Sequence, residues 1–160
     1  MRVSSIGWCA NSLDEAETVA KWSAEVTHNH PEGIKGAQAV AVAIYMARTG
    51  NTKDDIKDYI NEKYYNLDFS IDEIRPKYKF EVSCQDSVPQ AIQCFLEAKD
   101  FEDAIRNAIS LGGDADTQAA ITGSIAEAFF GIPYEIENEM YNYLDTFLLN
   151  CIDNWTKKYL

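Results

Sequence analysis

Apolar residues recur at helical spacing along almost all of this 160-residue chain, and no stretch of useful length alternates apolar with polar. That period leaves the helix as the only regular element with a coherent face to bury. Residues 134–155 are the longest example. Ile136, Met140, Tyr143, Leu144, Phe147, Leu148 and Cys151 share one face there, which predicts a single final helix.

Capping signals set the other boundaries. Ser12 followed by Glu15 reads as a capping box opening a helix over 13–26. Pro31 and Glu32 suit the first turn of a second helix, which runs to Arg48 and is followed by Gly50. Its Ala, Ile and Val content, with little charge before Arg48, predicts burial on most sides. Thr52 and Asp55 open a third helix, apolar at Ile56, Tyr59 and Ile60, whose acids Asp54, Asp55, Asp58 and Glu62 form a solvated face. A short helix at 72–74 is stopped by Pro76. A loop over 83–87 leads to a helix over 88–97, and Asp100 caps another that ends near Leu111. Gly112-Gly113 breaks the chain, a small-residue helix spans 116–130, and Gly131-Ile132-Pro133 ends it. Residues 2–8 read as apolar and loop-like, as if they belonged inside a larger domain. The expected architecture is an all-α, compact multi-helix domain over residues 1–160, with six or so helices and short connections.

A net charge of -12, from 14 basic and 26 acidic residues, argues against nucleic acid and against an anionic membrane surface, since both need a positive face. No apolar run approaches the roughly 18 residues a membrane helix needs, and the opening residues make a poor signal peptide. Cys9, Cys84, Cys94 and Cys151 are widely spaced without a CxxC pair, which reads as reduced, mostly buried thiols of a cytoplasmic protein rather than a zinc site. The aromatic residues lie mostly at core spacing and read as packing.

Two segments carry candidate chemistry. In LGGDADTQAAITGSIAEAFFGIP, Asp114, Asp116 and Thr117 gather three oxygen-bearing side chains where a glycine turn meets a helix start. Hard cations such as Mg²⁺ take carboxylate and hydroxyl oxygens. The same residues also make good helix caps, and the helix dipole opposes a cation there. From the residues alone capping is the simpler reading. In SAEVTHNHPEGIKGAQA, His28 and His30 are two apart and so do not share a helix face. The simpler reading is that they end a helix, where an imidazolium suits the dipole.

The two segments together resemble the ADP-ribosylglycohydrolases, whose signature is G-G-D-[ST]-D-T, a small-residue helix and G-I-P, with S-A-x-x-T-H-x-H-P earlier in the chain. The resemblance implies an all-α, metal-dependent hydrolase that cleaves ADP-ribose from modified protein side chains or related substrates. It implies that Asp114, Asp116 and Thr117 are metal ligands of a binuclear Mg²⁺ or Mn²⁺ site and that His28 contacts ADP-ribose. His30 and Pro31 match the adjoining turn, and Gly36 and Ala37 match small positions on the next helix. Met1-Arg2-Val3 is similar to the continuation of a loop lining the ligand cleft, and VSCQDSVPQAI is similar to a segment before a core helix. Ala115 stands where the family has Thr or Ser. The likeness runs from the first residues to about Pro133 and is loose beyond.

The family's [ST]-D-D-T motif and its proposed acid–base residue have no counterpart here. Thr52-Lys53-Asp54-Asp55 has the wrong spacing and looks like a cap. The expectation is therefore the C-terminal portion of such a domain with the N-terminal part missing, inactive or weak by itself. Its catalytic residues are unassigned, and its partners are ADP-ribose or an ADP-ribosylated protein. A missing portion acting in trans, or a homo-oligomer, would cover the exposed apolar cleft. The alternatives are a truncated pseudoenzyme, a module that binds ADP-ribose or a partner without catalysis, and a purely structural protein.

Overall fold

Ala39, Val40, Ala41, Val42, Ala43 and Ile44 follow one another without a polar residue, so the helix that holds them needs cover on every side. In a computed structural model of the chain, which describes residues 2–80 and 82–159, all six are buried at the centre of the molecule. This central helix is α3 (Pro31–Arg48). Packed on it are α1 (Ser4–Cys9), α2 (Leu13–Glu25), α4 (Lys53–Lys63), α6 (Cys84–Glu97) and α8 (Ala115–Phe130). A second layer is formed by α6, α8 and α7 (Phe101–Leu111), with the short α5 (Ile71–Ile74) against α6 and α7. The chain ends in α9 (Tyr134–Tyr141) and α10 (Thr146–Tyr159), neither of which holds a fully buried residue. Among the described residues there are ten helices and no strand, and no helix is long and apolar enough to cross a membrane.

Most helix starts follow their local signals. Ser12, Thr52 and Asp100 accept the Glu15, Asp55 and Asp103 N–H groups respectively, and Thr52 with Asp55 completes a capping box. The acids Asp54, Asp55, Asp58 and Glu62 face solvent as expected.

Three expectations are corrected. Residues 4–9, read as loop, form α1; Gly7 packs so closely on Ile44 and Ala41 of α3 that this segment is held against the core. The helix expected at 88–97 begins at Cys84, with Pro89 inside it. The proline is tolerated because the carbonyl it leaves without a partner, that of Gln85, lies on an exposed residue of the first turn. The final helix expected over 134–155 is two helices. Asp145 Oδ1 accepts the Leu148 N–H at 2.8 Å and opens α10 as a new helix. Among the aromatic residues, Trp22, Phe80, Tyr134, Tyr143 and Phe147 are exposed. The cysteines are free thiols, with Cys94 buried, Cys9 and Cys84 half-buried, and Cys151 exposed.

One half-buried cluster joins α2 to the end of α4 and gives the fold a pH dependence. Glu17 of α2 accepts hydrogen bonds from Tyr64 Oη (2.7 Å), Tyr59 Oη (2.8 Å) and Lys63 Nζ (3.2 Å). Burial alone would push its carboxyl up, but the bonds from Tyr64, Tyr59 and Lys63 outweigh it and hold the group below the usual glutamate range. A carboxyl depressed on folding adds stability above its unfolded pKa of about 4.3 and loses it as pH falls through the folded value. Glu17→Gln is therefore expected to destabilise the protein at pH 7 by about 1–2 kcal/mol. In urea unfolding, the gap between the two proteins closes below about pH 4.

Candidate functional site

The site starts from a turn that only glycine can make. Gly112 and Gly113 have φ of +79° and +69°, and a Cβ on Gly113 would lie 2.8 Å from Tyr78 Cε1 and 2.9 Å from the Lys79 carbonyl oxygen. The chain thus leaves α7 and enters α8 at once, with Asp114 at the N-cap, Asp116 in the first turn and Thr117 next to it.

The capping reading does not account for Asp114. It occupies the N-cap position of α8 yet makes no side-chain capping hydrogen bond. Asp116 Oδ1 accepts the adjacent Thr117 N–H at 2.9 Å. The exposed Asp116 carboxyl is held below the usual aspartate range, first by its contact with the Asp114 side chain and then by the Thr117 N–H. Two carboxyl groups meeting in a chain of net charge -12 is an arrangement that a cation would stabilise.

His28 reaches the same region from the turn between α2 and α3. Its N–H donates to the Ala24 carbonyl at 2.7 Å, and its carbonyl accepts the His30 N–H at 2.8 Å. Gly33 lets the first turn of α3 close on this loop, since a Cβ there would lie 2.8 Å from His28 O. Thr27 Oγ1 and His28 Nδ1 are hydrogen-bonded at 2.8 Å. With the threonine donating, Nε2 carries the ring hydrogen and is left as a donor. The expectation that both histidines end a helix is corrected. α2 stops at Glu25, and His30 is the N-cap of α3, its Nδ1 accepting the Glu32 N–H at 3.3 Å. An imidazolium could not accept that bond, so His30 serves the opposite helix end.

His28, Asp114 and Thr117 line one cleft of about 420 Å³, whereas Asp116 stands outside its lining. That volume is within the range of small-molecule sites. Gly36, Ala37 and Val40 of α3 form one wall, and Cys84, Ser87 and Val88 of α6 another. Gly36 and Ala37 are the small positions noted in the sequence; the α6 residues were given no role there, though their spacing places them on one helix face. Arg2 and Val3 also line the cleft, while Met1 lies outside the described residues. Arg2 brings a cation to a lining whose other charged residue is Asp114 and which is otherwise apolar or neutral-polar around His28.

Among the described residues, no group of three or more His, Cys, Asp or Glu side chains gathers as a metal-binding set. The oxygen donors at hand are Asp114, Asp116 and Thr117. Their chemistry fits a hard divalent ion, and Asp114 has a carboxylate uncommitted to its helix. Three donors supply half of the roughly six that one Mg²⁺ takes.

The chain is similar to known proteins along most of its length. The family model described as ADP-ribosylglycohydrolase matches residues 1–157. An uncharacterized protein of Archaeoglobus fulgidus is 35% identical over 150 residues, covering 83% of this chain and 49% of that protein. Human ADP-ribosylhydrolase ARH3 is 25% identical over 198 residues, covering 93% of this chain and 54% of the human protein. The mouse protein of the same name is 25% identical over 178 residues, with 82% and 48% covered. The chain spans about half the length of the curated relatives it matches.

Proposed function

The chain belongs to the ADP-ribosylglycohydrolase family, and from that premise we propose that it is built to hydrolyse ADP-ribosyl linkages with divalent metal, on modified protein side chains or related substrates. The observation that carries this reading is that Asp114, free of any capping bond, lines the same cleft as Thr117 and His28.

Asp114, Asp116 and Thr117 would hold Mg²⁺ or Mn²⁺, in a binuclear site once further ligands join them. Ions held there would supply Lewis-acid stabilisation of the charge that develops when a glycosidic bond is cleaved. The chain's own residues do the rest. His28, its ring fixed by Thr27, orients ADP-ribose through Nε2. Arg2 offers the diphosphate a charged, multi-pronged donor. The apolar walls from Val40 and Val88 keep water from the bond except where it is needed. Free thiols suit a reducing compartment, which points to the cytoplasm.

Three oxygen donors are few, so the 160-residue chain alone holds metal weakly and turns over little. An assay of ADP-ribose release from an ADP-ribosylated protein, in Mg²⁺, tests this. Little release is expected from the chain alone, and more when a segment bearing Ser/Thr-Asp-Asp-Thr is added. Robust release from the chain alone contradicts the ligand-count argument. A second reading, a module that holds ADP-ribose without cleaving it, rests on the same cleft lined by Arg2, His28 and Thr117. Binding of ADP-ribose with no release under either condition would select it.

A further inference from the structure

The Gly112-Gly113 turn is gripped from outside the cleft by side chains from two distant parts of the sequence. Gln118 is completely buried on α8, one turn after Asp114. Its Nε2 donates to Gly112 O at 3.3 Å and to Tyr78 Oη at 3.0 Å. Tyr78 Oη in turn donates to the Asp86 carbonyl, 2.8 Å away, in the first turn of α6. The amide's two hydrogens go to these two acceptors and the phenol gives one bond and takes one, while Gln118 Oε1 is buried without a partner among the described residues. The Tyr78 ring lies directly on the turn, where a Cβ at Gly113 would meet it at 2.8 Å. The first turn of α6 also carries Cys84, Ser87 and Val88, part of the cleft wall.

We infer that Tyr78 and Gln118 are positioning residues for the metal-binding turn, a relay that holds Asp114 and Thr117 in register with the α6 wall and so sets the affinity for a divalent cation. This rests on the reading of Asp114 and Thr117 as ligands. Two successive glycines give the backbone wide freedom. Asp114 has no capping bond of its own to fix it. Without the relay its carboxylate samples many positions, and ligands that must be ordered on binding hold metal less tightly.

The test uses the full chain with Tyr78→Phe, which keeps the ring on Gly113, and Gln118→Met, which keeps the buried volume. Three quantities are read: Mn²⁺ affinity by paramagnetic resonance titration, thermal midpoint, and amide exchange at Gly112 and Gln118. Both of these amides are hydrogen-bonded, to Ile109 O and Asp114 O. Each variant is expected to lose about tenfold in Mn²⁺ affinity, the scale of outer-shell effects, and to exchange faster at both amides. The double variant is expected to be no worse than the more affected single one, because both changes cut the same link. Variants that fold, bind Mn²⁺ as the wild type does and keep its exchange rates would overturn the relay. A lowered thermal midpoint with unchanged Mn²⁺ affinity would reduce it to a structural brace and also overturn the inference. A wild-type chain that takes up no Mn²⁺ would instead overturn the metal reading on which it stands.

Discussion

Asp114→Ala is expected to lower Mn²⁺ affinity by about 100-fold or more, since even residues behind a metal ligand are worth about 10–100-fold. The same change should leave stability nearly untouched, within about 0.5 kcal/mol, because no capping bond is lost. A capping role makes the opposite forecast. Loss of a helix cap costs about 0.5–2 kcal/mol and leaves metal binding alone. Mn²⁺ titration and urea unfolding of one variant therefore separate the two readings that the sequence left open.

Phe95→Ala carries the largest expected cost to folding, about 3–5 kcal/mol. Phe95 is fully buried on α6. Its ring meets Phe129 edge-on at 5.4 Å and Phe130 at 6.1 Å, both from the end of α8. Lys53 Nζ of α4 lies 5.3 Å from its centroid and donates to Leu96 O at 3.2 Å and also to Ala98 O, closing the end of α6. Burial lowers the lysine's pKa while Asp103 opposes that, so the charge is held where rings and carbonyls replace part of its water. Removing the ring leaves a cavity and strips one aromatic face from the cation. Domains have only about 5–15 kcal/mol in total, so the urea midpoint should fall by a large fraction. A loss below about 1 kcal/mol would mean that this junction does not hold α6 to α8.

The parts of the fold that were legible in the sequence are those set within one turn of chain. Ser12, Thr52 and Asp100 cap helices through groups three residues on, so the signal and its partner sit together. The crowded Ala and Val run of α3 announced its burial because no polar face was on offer. Features that depend on distant contacts were not legible. The helix of residues 4–9 owes its place to α3, far along the chain. The break before α10 rests on Asp145, a cap hidden among residues that continue the apolar period. At the site, the glycine turn and its oxygens could be read directly. That Asp114 is uncommitted, that Asp116 stands outside the cleft lining, and that His30 caps a helix rather than ending one are facts of three dimensions. The grip of Gln118 on Tyr78 joins residues 40 apart in sequence, and no local pattern marks it.

The central claim is that Asp114, Thr117 and His28 form one receptor for a divalent ion beside ADP-ribose. Calorimetric titration of ADP-ribose into the chain tests it most directly, with Mg²⁺, with a chelator, and with His28→Ala in Mg²⁺. The account predicts heat of binding that needs Mg²⁺ and falls sharply without the His28 imidazole. No heat in Mg²⁺, or the same heat in chelator and in the variant, would contradict it.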